Sequence, residues 1–201
     1  MVALIEYGAG NIFSVKNALD YLGIENKLTA DPDEIRSADA LILPGVGAFG
    51  AAMESLKNSG LVPVIKEEAK RKPFLGICLG MQLLFDKGYE FGEYDGLGLI
   101  SGTVEKISEP GLVVPHMGWN KLEICFDSPV MNGITSDDFV YFVHSYKAVT
   151  DMKNIVAYSE YGGIVPAMVS DGKYVFGAQF HPEKSGNTGL KILANFVKMT
   201  F

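Results

Sequence analysis

Three short apolar runs, Val2-Ala3-Leu4-Ile5, Ala40-Leu41-Ile42-Leu43 and Phe74-Leu75-Gly76-Ile77, constrain this 201-residue chain more than any other feature. Runs of four without polar alternation belong inside a parallel sheet that helices cover on both faces. Helical spacing follows each of them. Ile12, Val15, Leu19 and Leu22 recur three and four residues apart, and Gly23 stands where a C-cap belongs. Pro44 is expected to end the second run, before a helical pattern through Met53 and Leu56. The third run leads directly into Gly80-Met81-Gln82-Leu83-Leu84-Phe85. The alternation predicts an α/β fold with a mostly parallel central sheet flanked by helices.

From about Gly96 the pattern changes. Residues 103–107, 121–126, 139–146 and 155–159 read as strands, with Gly162-Gly163 and Asp171-Gly172 as hairpin turns. Leu190, Leu193, Phe196 and Val197 predict a final amphipathic helix packed back on the sheet. No Pro/Ser-rich linker or charge run divides the chain, so residues 1–201 are expected to form a single domain, parallel core first and antiparallel additions second.

Composition narrows the function. A chain 48% hydrophobic and 20% charged folds around a core. Its net charge of 17 − 24 = −7 argues against a nucleic-acid backbone as partner. No apolar run reaches the ~18–20 residues of a membrane span, and the N-terminal segment has an early Glu6 and no basic stretch. Two cysteines, Cys78 and Cys125, are too few for a disulfide framework, so the expectation is a cytoplasmic protein without membrane association. No His/Cys cluster has metal-ligand spacing, and neither a metal nor a cofactor is expected.

Cys78 lies in Gly76-Ile77-Cys78-Leu79-Gly80, between a strand and a helix. A nucleophile placed on such a turn needs glycines at minus two and plus two, because the sharp bend leaves no space for side chains. The Leu79 N–H then faces an oxyanion, and the helix N-terminus favours thiolate. The plain alternative is a buried structural cysteine. Cys125, alternating within 121–126, reads as packed on a strand face. A cysteine nucleophile needs a base, from among His116, His144 and His181. His181 precedes Pro182 and Glu183, and Pro182 biases it to an extended backbone. Residues two apart then share a face, so Glu183 can reach the His181 imidazole and orient it. Segment 44–50, Pro-Gly-Val-Gly-Ala-Phe-Gly, contains a formal G-x-G-x-x-G, with Glu67 or Glu68 near the spacing of a ribose-binding acid. Those acids fall in a Lys/Glu-rich helical stretch and no G-K-[ST] loop occurs, so the exposed backbone reads better as an oxyanion donor than as a dinucleotide cradle.

These motifs resemble the class I glutamine amidotransferases: Gly-Ile-Cys-Leu-Gly-Met-Gln at 76–82 and Phe-His-Pro-Glu-Lys at 180–184. Segments 6–11, 44–50, Pro-His-Met-Gly-Trp-Asn at 115–120 and Tyr-Phe-Val-His-Ser-Tyr at 141–146 narrow the resemblance to the glutaminase subunits of imidazole glycerol phosphate synthases, enzymes of histidine biosynthesis. The resemblance implies a flavodoxin-like amidotransferase fold and hydrolysis of L-glutamine through a Cys78–His181–Glu183 triad. It also implies an oxyanion site from Leu79 and the Val46–Gly47 segment, with Gln82 and the Ser145-Tyr146 backbone on the amino-acid end of glutamine. By the same likeness His144 shapes that pocket. The implied partner is a cyclase subunit, a (β/α)8 barrel that receives the ammonia in a heterodimer and releases imidazole glycerol phosphate and aminoimidazole carboxamide ribonucleotide. Asn11, Met117, Trp119, Tyr141 and Lys184 are then expected toward that interface. The Gly45-Val46-Gly47 peptides are expected to rest with an oxyanion donor turned away until the partner is occupied. Another class I amidotransferase, or a non-catalytic binding protein on the same fold, remains the alternative.

Overall fold

A computed structural model describes residues 1–8 and 11–200, so Ala9 and Gly10 of the 6–11 segment, and Phe201, lie outside the described residues. The strands in chain order are β1 (Val2–Ile5), β2 (Asn26–Thr29), β3 (Ala40–Gly45), β4 (Phe74–Cys78), β5 (Lys87–Gly88), β6 (Tyr94–Asp95), β7 (Thr103–Lys106), β8 (His116–Lys121), β9 (Glu123–Ile124), β10 (Phe139–His144), β11 (Tyr146–Val149), β12 (Ile155–Glu160), β13 (Ile164–Ser170) and β14 (Val175–Ala178). The helices are α1 (Ile12–Tyr21), α2 (Pro32–Ser37), α3 (Phe49–Asn58), α4 (Val62–Glu68), α5 (Leu79–Gln82) and α6 (Gly186–Lys198).

The main sheet runs β2-β1-β3-β4-β14-β13-β12-β9. Its first five strands are parallel, and β13, β12 and β9 continue it antiparallel. Both faces are covered, which explains the lack of polar alternation in β1, β3 and β4. Val2 and Leu4 pack in one core with Val15, Leu19, Ile192 and Phe196, whereas Ala3 and Ile5 pack in the other with Phe49, Leu56 and Ile65. The buried Ile192, Leu193 and Phe196 hold α6 on the sheet; at ~1.5–3 kcal/mol per buried side chain they contribute on the order of 5–9 kcal/mol before entropy is charged. Lys72 clips α2 to α4: its ammonium pairs with buried Glu68 at 2.8 Å and donates to the carbonyls of Ile35, Arg36 and Ala38 at the end of α2.

Four expectations need correction. β3 does not stop at Pro44 but runs through it to Gly45, because its ladder with β1 ends at Ile42 and Pro44 has a strand neighbour only in β4. A missing N–H is tolerated there. Segment 121–126 contains only the last residue of β8 and the two-residue β9; the longer strand, β8, lies mostly upstream. Segment 139–146 is two strands in two sheets: β10 pairs with β8, and after Ser145 β11 joins the sheet β11-β7-β5-β6. Cys125 is exposed, past the end of β9, and does not pack on a strand face.

Candidate active site

The chemistry gathers at the carboxyl ends of three adjacent parallel strands, β3, β4 and β14, where open α/β sheets bind ligands. Cys78 ends β4 with φ 54° and ψ −111°, a left-handed conformation costing about 1–3 kcal/mol for a side-chain-bearing residue. The neighbouring glycines make the turn possible. A Cβ on Gly80 would overlap the Leu43 carbonyl, and one on Gly76 would lie 2.5 Å from the Gly80 oxygen. A Cβ on Gly45 would lie 2.8 Å from the Gly80 nitrogen, and one on Gly50 2.5 Å from the Tyr94 ring. Two glycines of the formal G-x-G-x-x-G therefore admit other parts of this protein, and no phosphate cradle forms there. Tyr7 supports the same loop: its hydroxyl donates to the Pro44 carbonyl at 3.0 Å, and burial, with the nearby Cys78 charge, pushes its ionisation far up.

His181 follows β14, its backbone N–H held by the Tyr141 carbonyl at 3.0 Å. Its Nδ1 is 2.8 Å from Glu183 Oε1, and the residue lines the same cleft as Cys78. Burial alone would lower the imidazole; the nearby Cys78 and the hydrogen bond and charge of Glu183 outweigh it and raise His181 to about 9. The pair is thus an imidazolium at neutral pH facing sulfur. α5 has only four residues, so this cation, more than a helix dipole, is the positive charge set beside the sulfur. Glu183 lies behind the imidazole with a side chain 1% exposed, its Oε2 lacking a partner.

A cleft of about 320 Å³ opens over Cys78 and His181. Val46, Gly47, Leu79, Gln82, Ser145 and Tyr146 line it, with Lys184 at its edge. It also contains Glu90, Val143 and His144, of which the acid was missed by sequence reasoning. Glu90 comes from the loop between β5 and β6 and is fixed by the Phe49 N–H at the start of α3, 2.8 Å away; no local motif announces it. A larger groove of about 820 Å³ lies between the Pro129 turn and the end of α6, but no cysteine or histidine reaches it.

One hydrogen-bond line crosses the back wall. The Tyr146 carbonyl, which can only accept, takes bonds from Gln82 Nε2 (3.0 Å) and His144 Nδ1 (2.8 Å). His144 is therefore the Nδ1–H tautomer, and burial holds it down at about 4. Its Nε2 accepts from His116 Nδ1 at 3.0 Å, and His116 Nε2 reaches the Asn120 amide at 2.8 Å. Phe142 and Tyr161 sandwich the His116 ring. His144 serves the wall as a neutral, hydrogen-bonded group.

Beside the cleft, the β8/β10 ribbon alternates: His116, Phe142 and His144 face inward, while Met117 and Trp119 point outward, 61% and 53% exposed. Trp119 meets half-buried Tyr141 edge-to-face at 5.9 Å. Exposed Lys184 follows the triad segment, and exposed Asn11 precedes α1. Among the described residues no three His, Cys, Asp or Glu side chains form a metal-holding group, and no helix is long and apolar enough to cross a membrane.

The family model for class I glutamine amidotransferases matches residues 3–199, and the chain belongs to this family. Within it, the chain is 50% identical over 197 residues to the imidazole glycerol phosphate synthase subunit HisH of Bacillus cytotoxicus, covering 98% of this chain and 93% of that protein. The HisH subunit of Caldanaerobacter subterraneus subsp. tengcongensis is 49% identical over 201 residues, covering 99% and 98%. Solved structures share the fold at lower identity. A glutamine amidotransferase crystal structure matches with TM-score 0.77 and 20% identity over 100% of this chain and 99% of that one. PurLQS from Thermotoga maritima matches with TM-score 0.77 and 21% identity over 98% and 97%.

Proposed function

We infer that this chain is the glutaminase subunit of an imidazole glycerol phosphate synthase, hydrolysing L-glutamine to glutamate and ammonia for histidine biosynthesis. The observation that carries the reading is Cys78 and His181 lining one cleft, with Glu183 hydrogen-bonded to the imidazole from behind. Cys78 Sγ attacks the side-chain amide carbon, and the carbonyl oxygen becomes an oxyanion. Leu79, first residue of α5, has an N–H with no intrahelical partner and is one donor. An N–H of the Val46–Gly47 segment, across the cleft, is the other. His181 passes its Nε2 proton to the departing nitrogen, ammonia leaves, and a γ-glutamyl thioester remains. His181, now neutral, takes a proton from water; the hydroxide attacks the thioester carbonyl, the Cys78 sulfur leaves with the bonding pair facing the restored imidazolium, and the carboxyl formed loses its proton to solvent as glutamate. Glu183 keeps the imidazole in the required tautomer. Glu90 and Gln82 receive the α-ammonium. The Ser145 and Tyr146 carbonyls are already bonded to Ile107 N and to Gln82 and His144, which leaves N–H groups for the α-carboxylate.

Ammonia released into neutral water is protonated and ceases to be a nucleophile, so the product needs a dry path to a second site. The partner is the cyclase subunit, a (β/α)8 barrel docked as a heterodimer on the outward face of β8/β10, with Met117, Trp119 and Tyr141 as anchors and Asn11 and Lys184 at the rim. The Gly45-Val46-Gly47 peptides rotate when that partner is occupied. A Cβ at Gly47 meets nothing within 4 Å, but its φ of +104° disfavours any side chain. Gly47→Ala therefore tests conformation without crowding: unchanged basal and stimulated rates would exclude the rotation. The activity is tested by a glutamine-analogue electrophile, which should label Cys78 covalently and fail on Cys78→Ala. Absence of labelling in the partner-bound wild type would overturn it.

A further inference from the structure

The geometry points to Gln179 as the positioning residue that, with the Tyr146 carbonyl, locks the end of the Gln82 carboxamide that faces the substrate, and so as a determinant of selectivity for a glutamine bearing an α-ammonium group. This rests on the glutaminase reading above. Gln82 touches the Tyr146 carbonyl, a pure acceptor, so the contacting atom is Nε2. Its second proton goes to Gln179 Oε1 at 3.1 Å. Both donors are consumed inside the protein, and Gln82 Oε1 is left as a free acceptor in a cleft that also holds Glu90. Two acceptors together suit a cationic donor.

Gln179 is wholly buried, its backbone N–H tied to the Ala167 carbonyl at 2.9 Å. Its own Nε2 has no partner. Packing alone would be served better by an apolar residue of similar volume, since buried donors are ordinarily satisfied. The acceptor it turns toward Gln82 accounts for the amide. Without it, Gln82 keeps only the Tyr146 bond, about which its carboxamide can swing, and Oε1 is no longer held toward the ammonium.

The test measures glutamine hydrolysis by the full chain with the cyclase subunit, for Gln179→Met, Gln82→Met and the double variant. The substrates are L-glutamine and glutaramate, the same carboxamide without the α-ammonium. For Gln179→Met the KM for L-glutamine should rise about tenfold, with kcat changed by less than about twofold and the KM for glutaramate unmoved. The double variant should match Gln82→Met alone, because Gln179 acts through Gln82. Gln179→Glu, which retains the acceptor, should keep the preference for L-glutamine and gives the answer if the methionine variant does not fold. Equal losses on both substrates, an unchanged KM, or a double variant showing the product of the single effects would overturn the inference alone. A wild type inactive on L-glutamine would overturn the glutaminase reading and this with it.

Discussion

Replacing Glu183 with glutamine removes a charge from behind His181 while preserving shape. The two side chains, 4% and 1% exposed, meet through a 2.8 Å hydrogen bond. A bond to a charged acceptor contributes about 1.5–3 kcal/mol and a neutral one about 0.5–1.5 kcal/mol, so the imidazolium loses on the order of 1–2 kcal/mol. At about 1.4 kcal/mol per pH unit, His181 should move from about 9 toward 8. The same loss falls on the transition state in which neutral His181 takes a proton from the attacking water, and kcat should drop on the order of five- to thirtyfold. Glutamine binding is not addressed by this pair, so KM should hold. The check is an NMR titration of the His181 ring in Glu183→Gln and wild type, with glutaminase kcat at pH 7. A ring that titrates unchanged, or an undiminished kcat, would refute the assignment of Glu183.

Lys72→Met strands buried Glu68 beside a single distant cation, Arg71 at 3.6 Å, and should cost about 2–3 kcal/mol; for a chain of this size a melting curve should fall by about 5–10 °C with kcat retained. His144 gives a pH signature. It is neutral in both states above pH ~6.5, but between ~6.5 and its folded value of about 4 only the unfolded chain takes the proton. Stability should therefore fall as pH drops through that window, by up to about 3 kcal/mol, and denaturant melts of His144→Gln should lack this component. Gly80→Ala forces a Cβ into the Leu43 carbonyl and should cost about 3 kcal/mol or more, read as lost soluble yield; normal yield and activity would show that β3 and α5 can part.

Much of this was legible because the signals were local. β1, β3 and β4 declare themselves through unbroken apolar runs, and the bend at Cys78 through glycines that close packing demands. His181 and Glu183 are two residues apart, so an extended backbone suffices to bring them together. What stayed hidden depends on distant partners. Ser145 separates two strands that belong to different sheets, yet 139–146 reads as one segment because sequence carries no mark of which neighbour a strand will find. β8 hides because its glycine and polar residues dilute the strand pattern, while its outward Met117 and Trp119 look like core. Glu90 and Gln179 reach the site through contacts 41 and 97 residues away, beyond any spacing rule.

The most direct test is glutamate release from L-glutamine by the purified chain, with and without the cyclase subunit carrying its nucleotide ligand. The account predicts a weak basal rate, a rise by orders of magnitude in the complex, and loss of both in Cys78→Ala. Glutamate release that survives Cys78→Ala would contradict it, because the sulfur at the end of β4 would then not be the nucleophile.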